Sequence, residues 1–292
     1  MKFGMNLLLW TAGVTDEHLP LLARLKSLGF DGVELPLFDA DTDQLRRVGQ
    51  ELDNLGLART AVTVCPPEAN PISPDPVVRQ AALDYLRTRI DWCALLGVEV
   101  LCGPIHSALG ALCGRGRTPE EWDWCVEVQR AAALHAQQAG VKLSVEPLNR
   151  FEVYFLNTVA DASRLVAEVD NPAYGYLYDS FHANIEEGDI YRSVVDHASA
   201  INHIHISENH RGTPGTGHVR WTETFRGIKQ AGYDGWLTVE AFGRALPELA
   251  AATCIWRDLF EDADELAAQS LRFMKEQWEA ACRWEGDADA EG

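Results

Sequence analysis

Short apolar runs alternate along this chain with longer stretches in which apolar residues recur every three or four positions. The short runs predict strands buried on both faces, and the longer stretches predict amphipathic helices that cover them. One unit recurs: a helical stretch, a glycine, one to three residues, then a β-rich run. It stands at LKSLGFDGVEL (25–35), LDNLGLARTAVTV (52–64), CALLGVEVLCG (93–103), QQAGVKLSVE (137–146) and KQAGYDGWLTVE (229–240). A glycine just past each helix fits a left-handed cap. Helix starts are marked too. Thr118-Pro119-Glu120-Glu121 forms a capping box, and Asp75-Pro76 and Thr158 are further N-caps. Leu19, Leu22, Leu25 and Leu28 make one core-facing stripe, with Arg24 and Lys26 off it.

These signals predict strands at 3–9, 31–35, 58–64, 98–103, 141–146, 174–179, 201–207 and 236–240. They predict helices near 16–28, 43–55, 75–96, 119–139, 159–169, 189–198, 222–231 and 255–280. Eight apolar strands alternating with eight helices describe an α/β fold with a parallel sheet. A doubly wound open sheet is the rival, but the first strand runs into NLLLWTAG and carries no glycine-rich phosphate turn. The count of eight and a length near the barrel norm favour a (β/α)8 TIM barrel. We expect one domain over 1–284 and an acidic, disordered tail over 285–292, EGDADAEG.

Charge narrows the function. With a formal net charge of −19, the chain lacks the basic surface that nucleic acid or anionic membrane would require, and a neutral small molecule is the natural partner. No signal peptide or membrane span is read from the sequence. Seven scattered cysteines without a CxxC pair suit free thiols in a reducing cytoplasm.

The candidate chemistry lies at strand ends. VKLSVEPLNRFE carries a buried strand into Glu146 and stops at Pro147, which cannot donate the next ladder hydrogen bond. Asp179 ends strand 6 (GYLYDSFH), His205 lies on strand 7 (NHIHIS), and Glu240 ends strand 8 (LTVEAFG). Their spacings of 33, 26 and 35 residues are each about one βα unit. Barrel active sites are built at the carboxyl ends of strands, and neighbouring strands lie only about 4.8 Å apart, so these tips converge. Three carboxylates so close repel one another unless a cation lies between them, and one imidazole completes the set. Such hard donors suit Mn²⁺, with Co²⁺ or Mg²⁺ as alternatives, better than a thiolate-loving metal. Each ligand also has a plainer reading: Asp179 as a cap, Glu240 as an ion pair, His203 facing inward in place of His205.

The segments VEPLNRFE, YDSFHANIEE, HIHISENHRGTPGTGHVRW and LTVEAF, with MNLLLW, GFDGVELPLF and GPIHSALG, resemble the ketose 3-epimerases of the D-tagatose/D-allulose (psicose) type. That family lies within the xylose-isomerase-like barrel superfamily, and the resemblance runs to about residue 280. It implies an isomerase acting on a free ketose, with Glu146, Asp179, His205 and Glu240 as metal ligands. Glu152, His182 and Arg211 would hold the substrate. It also implies proton removal and return at C3 through a cis-enediolate, with Glu146 and Glu240 as the two bases. An aldose–ketose isomerase of the hydroxypyruvate or rhamnose type would use related chemistry and is the alternative. A non-enzymatic sugar-binding barrel is the reading from another class. A homodimer or homotetramer is expected, with Trp256, Phe260, Phe273 and Trp278 as interface or helix core.

Several residues are left in the background. Glu34 reads as an ion pair or an indirect support to the ligands. His106, Trp122, Trp124 and Cys65 are candidate pocket walls. CGRGRTPEE offers a weak phosphate loop, and His203, His210 and His218 read as loop or supporting histidines.

Overall fold

The structure, a computed structural model, describes residues 1–284, so the acidic tail expected at 285–292 lies outside the described residues. Eight parallel strands close on one another in chain order. They are β1 (Lys2–Asn6), β2 (Gly32–Pro36), β3 (Ala58–Val62), β4 (Val100–Gly103), β5 (Lys142–Val145), β6 (Tyr174–Asp179), β7 (Ile201–Ile206) and β8 (Trp236–Val239). Pairing of Lys2 with Trp236 and of Met5 with Val239 seals the barrel between β1 and β8. The (β/α)8 barrel read from the pattern is the fold found.

The described residues form ten α-helices: α1 (Leu19–Leu28), α2 (Thr42–Leu55), α3 (Pro76–Leu96), α4 (Pro119–Ala139), α5 (Val159–Val169), α6 (Ser180–Glu186), α7 (Ile190–Val195), α8 (Trp221–Gln230), α9 (Pro247–Ala252) and α10 (Ala263–Arg283). The capping signals act as chemistry requires. Thr118 and Glu121 form the reciprocal box at the start of α4. Asp75 and Thr158 accept from Val77 and Asp161 N–H at the starts of α3 and α5. Gly140 ends α4 at φ 72°, a conformation costly for a residue with a Cβ. Strands β2, β4, β6 and β8 are buried throughout, which explains why they read as continuous apolar runs.

Three boundaries differ from the pattern. β1 ends at Asn6, because the Asn6 side chain accepts from Leu8 N–H and turns Leu7–Leu9 into a 3-10 turn. The helix expected at 189–198 is the shorter α7, and an unexpected helix, α6, precedes it, N-capped by Asp179. The last helix begins at Ala263, where Asp262 accepts from Glu265 N–H, and not at 255; α9 precedes it. In α10, Phe273 packs edge-on against Trp221, with ring centroids 5.2 Å apart, so it belongs to the helix core. Trp256 instead stands 72% exposed. Among the described residues no helix is long and apolar enough to cross a membrane, and all seven cysteines are free.

Candidate active site

The four candidate ligands lie where consecutive strands end at one mouth of the barrel. Glu146 directly follows β5, and its N–H continues the ladder to Gly103 O at 3.0 Å. Asp179 closes β6 and divides its oxygens: Oδ1 accepts from Phe181 N–H at 2.6 Å, and Oδ2 turns inward. His205 is the penultimate residue of β7, and Glu240 follows β8 with its N–H on Ile206 O at 3.2 Å. All four are buried. One donor atom from each lies within 4.8 Å of every other.

His205 Nδ1 is buried without a hydrogen-bond partner, 3.6 Å from Asp179 Oδ2 and 3.5 Å from Glu240 Oε1. A ring nitrogen facing two carboxylates at distances too long for a hydrogen bond is an arrangement that a cation between them satisfies. Burial, followed by the Glu240 charge, pushes the Glu146 carboxyl well above its usual range. Burial would raise Asp179 too, but the Arg211 guanidinium together with His205 and His182 outweighs it and holds that carboxyl low. Three oxygen donors and one imidazole nitrogen, crowded and short of positive charge, fit a hard divalent ion.

The residues read as substrate contacts flank this cluster. Asn149 donates to His182 Nδ1 from its backbone N–H and from Nδ2, each at 3.0 Å. The imidazole therefore carries its proton on Nε2, which lies 3.6 Å from Glu146 Oε1. Burial, with Arg211 beside it, lowers the His182 pKa to about 3, so the ring is neutral at pH 7. Arg211 Nη2 sits 3.0 Å from that same Nε2. Arg211 is held by Asp179 Oδ2 at 3.1 Å, Glu240 Oε2 at 2.7 Å and Ser207 Oγ at 2.9 Å. Phe181 lies under its guanidinium at 3.8 Å. Glu152 accepts from Asn149 Nδ2 at 2.8 Å, and burial raises its carboxyl. Glu146, Glu152, His182, Arg211 and Glu240 form the polar side of one pocket. Leu8, Phe38, Val62, Leu109, Phe242 and Leu249 are among the residues of its apolar side.

Some expected neighbours lie elsewhere. His106 is buried and stacked on Phe155 at 5.6 Å, and Trp122 Nε1 donates to Glu168 at 2.7 Å; neither lines this pocket. Trp124 lies beneath Arg79. Cys65 is buried outside the pocket, its thiol pushed up to about 12 by burial, so it is no nucleophile. Arg115 and Arg117 of the candidate phosphate loop are committed to Glu121 and Asp161. His203 faces Glu34, while His210 and His218 belong to the loop after β7. Asn149, within the NRFE segment, went unread although it orients both His182 and Glu152. Its position between two recognised residues was the available signal.

The chain matches a family model described as the xylose isomerase-like TIM barrel over residues 22–277. It is 32% identical to the ketose 3-epimerase of Arthrobacter globiformis, over 95% of this chain and 96% of that one. A solved D-allulose 3-epimerase from Methylomonas sp. in complex with D-allulose superposes with a TM-score of 0.89 at 29% identity, covering 95% of this chain and 97% of that one. A D-psicose 3-epimerase with D-tagatose from Clostridium cellulolyticum H10 gives 0.89 at 27% identity, covering 95% and 99%.

Proposed function

We propose that this chain, which belongs to the xylose isomerase-like TIM barrel family and within it to the ketose 3-epimerases, inverts C3 of a free ketose of five or six carbons, with Mn²⁺ as its metal. As an isomerase it needs no oxidant and no second substrate. The convergence of Glu146, Asp179, His205 and Glu240, with the unpartnered Nδ1 of His205 among them, carries the reading. Those four residues would hold the ion, and a divalent ion bound there supplies Lewis-acid polarisation of an adjacent carbonyl.

The remaining work belongs to side chains. The proton at C3 of a ketose is acidic because it lies next to the C2 carbonyl. Inversion needs one base to take that proton on one face and an acid to return it on the other. Glu146 and Glu240 reach the pocket from the ends of β5 and β8, with β6 and β7 between them, and can serve opposite faces. The upward shift of Glu146 suits a group that must both accept and give back a proton. His182 Nε2–H and Glu152 would anchor O1, and Arg211 would bond O2 as charge builds there. Arg211 is the cation among the pocket's lining residues, and it is already engaged by two carboxylates. That supports an unphosphorylated sugar.

D-Tagatose, D-fructose and L-ribulose incubated in D₂O with Mn²⁺ provide the test. Deuterium should enter at C3 as the C3 epimer accumulates. Epimer without deuterium at C3 would overturn the proposed proton transfer, and an aldose product would move the chemistry to C1 and C2.

A further inference from the structure

Glu34 lies on β2 with no exposed surface, outside the lining of the pocket, yet it is the most heavily bonded carboxylate near the proposed metal centre. Its Oε1 accepts from Asn6 Nδ2 at 2.9 Å and stands 2.7 Å from His205 Nε2. Its Oε2 accepts from Thr60 Oγ at 2.8 Å and Cys102 Sγ at 3.3 Å, and stands 2.7 Å from His203 Nε2. Asn6 cannot be turned round, because its Oδ1 accepts from Leu8 N–H at 2.8 Å, which leaves the amide nitrogen facing Glu34. A carboxylate surrounded in this way only accepts, so each imidazole presents an Nε2–H. An imidazole that ligates a metal is neutral and has one N–H, which leaves the lone pair of a metal-bound His205 on Nδ1, the atom that faces Asp179 and Glu240.

We propose that Glu34 is the positioning residue of the metal centre: it fixes the tautomer and ring orientation of His205 so that Nδ1 is delivered to the metal as a lone pair. The inference rests on the metal-dependent reading above. Glu34 acts through His205 and touches neither ligand cluster partner Asp179 nor the substrate pocket. Asn6 extends the same control to the neighbouring ligand, since its Nδ2 also lies 3.3 Å from Glu240 Oε1. Glu34, Cys102, His203 and His205 are themselves close enough to suggest a second metal site. The hydrogen bonds decide against it: both Nε2 atoms carry protons, and Asn6 and Thr60 already fill the carboxylate.

Glu34→Gln separates these accounts. An amide offers one accepting oxygen and faces the other imidazole with an NH₂, so one ring must move its proton to Nδ1. Loss of such a supporting group typically weakens metal affinity 10–100-fold, and titration of the full metal-stripped chain with Mn²⁺ should show a loss in that range. His203→Gln still donates to Glu34 and should stay within about threefold of wild type. In wild-type chain saturated with diamagnetic Mg²⁺, ¹⁵N spectra should place the protons of His203 and His205 on Nε2. This measurement decides the question even if Glu34→Gln fails to fold. A proton on His205 Nδ1 in the wild type, or unchanged Mn²⁺ affinity in a folded Glu34→Gln whose ¹⁵N spectrum shows the His205 proton moved off Nε2, would overturn the role of Glu34. Co²⁺ saturating at two equivalents, with a thiolate absorption lost in Cys102→Ser, would replace it with a second metal site. Wild type that binds no Mn²⁺ would instead overturn the metal reading on which the inference depends.

Discussion

At the scale of single residues, the carboxylates of the pocket divide by what they touch. Glu146 and Glu240 face the convergence of donors, whereas Glu152 meets Asn149 and stands outside it. Replacing Glu146 or Glu240 with Gln should therefore lower kcat by at least ~10²-fold, the lower range for a positioned acid–base group, and weaken Mn²⁺ binding as well. Glu152→Gln should act chiefly on KM and leave Mn²⁺ affinity near wild type. Steady-state kinetics beside a Mn²⁺ titration reads both effects, and near-normal kcat in Glu146→Gln would remove it from the base role. Glu146, Asp179, His205 and Glu240 were legible because each ends or nearly ends a buried strand, where a charged residue stands out against apolar neighbours. Glu34 was legible as an ion pair or indirect support, but the set of groups around it was not. Its partners Asn6, Thr60, Cys102, His203 and His205 come from four other strands, and only closure of the barrel brings them together.

At the scale of elements, the strand tips matched the apolar runs to within a few residues, since β-rich runs bounded by glycine and proline leave little freedom. Loops and short helices were less legible. The 3-10 turn after β1 and the start of α10 depend on single side-chain caps, Asn6 and Asp262, that many other Asn and Asp residues of the chain could equally have supplied. The loop between β7 and α8 shows how far such local chemistry reaches. It carries Arg211 at φ 63°, a left-handed backbone that an L side chain adopts at a cost. Glu208 pays for it: its two oxygens accept from Asn209, Val219 and Gly215 N–H and from Trp221 Nε1 at 2.8–3.2 Å. Burial opposes ionisation there, yet these donors win and hold the carboxyl below its usual range. A carboxyl lowered by folding stabilises the fold fully above its unfolded pKa of about 4.3, and that contribution is lost as pH falls through the lowered value. Glu208→Gln should cost about 1–3 kcal/mol at neutral pH, since the amide faces N–H groups with an NH₂. Denaturation of both proteins from pH 7 downward should show the gap constant to about pH 4.5 and shrinking below it. A gap that keeps its size as pH falls further would mean that the Glu208 charge does not hold the loop.

At the scale of the whole molecule, the proposed metal centre is a device for fastening the barrel as well as for chemistry. Its donors belong to β5, β6, β7 and β8, four strands in succession, and β8 is the strand that closes on β1. Without a cation Glu146 works against the fold, pushed up by burial and by the Glu240 charge beside it. Binding to the folded chain alone must then raise its stability by mass action, about 2.7 kcal/mol when free metal is 100 times its Kd. For a chain of 292 residues this corresponds to a Tm rise of roughly 5 °C, because unfolding entropy grows with size. A net charge of −19 would let any cation screen general repulsion, so Mn²⁺ must be compared with K⁺ at equal ionic strength. Chelation should reverse the Mn²⁺ effect and leave the K⁺ effect in place. Equal Tm values under Mn²⁺, chelator and matched K⁺ would mean that the four strand ends are not joined by metal. Stabilisation by Mn²⁺ that survives in Glu146→Gln at its wild-type size would place the ion somewhere other than this cluster.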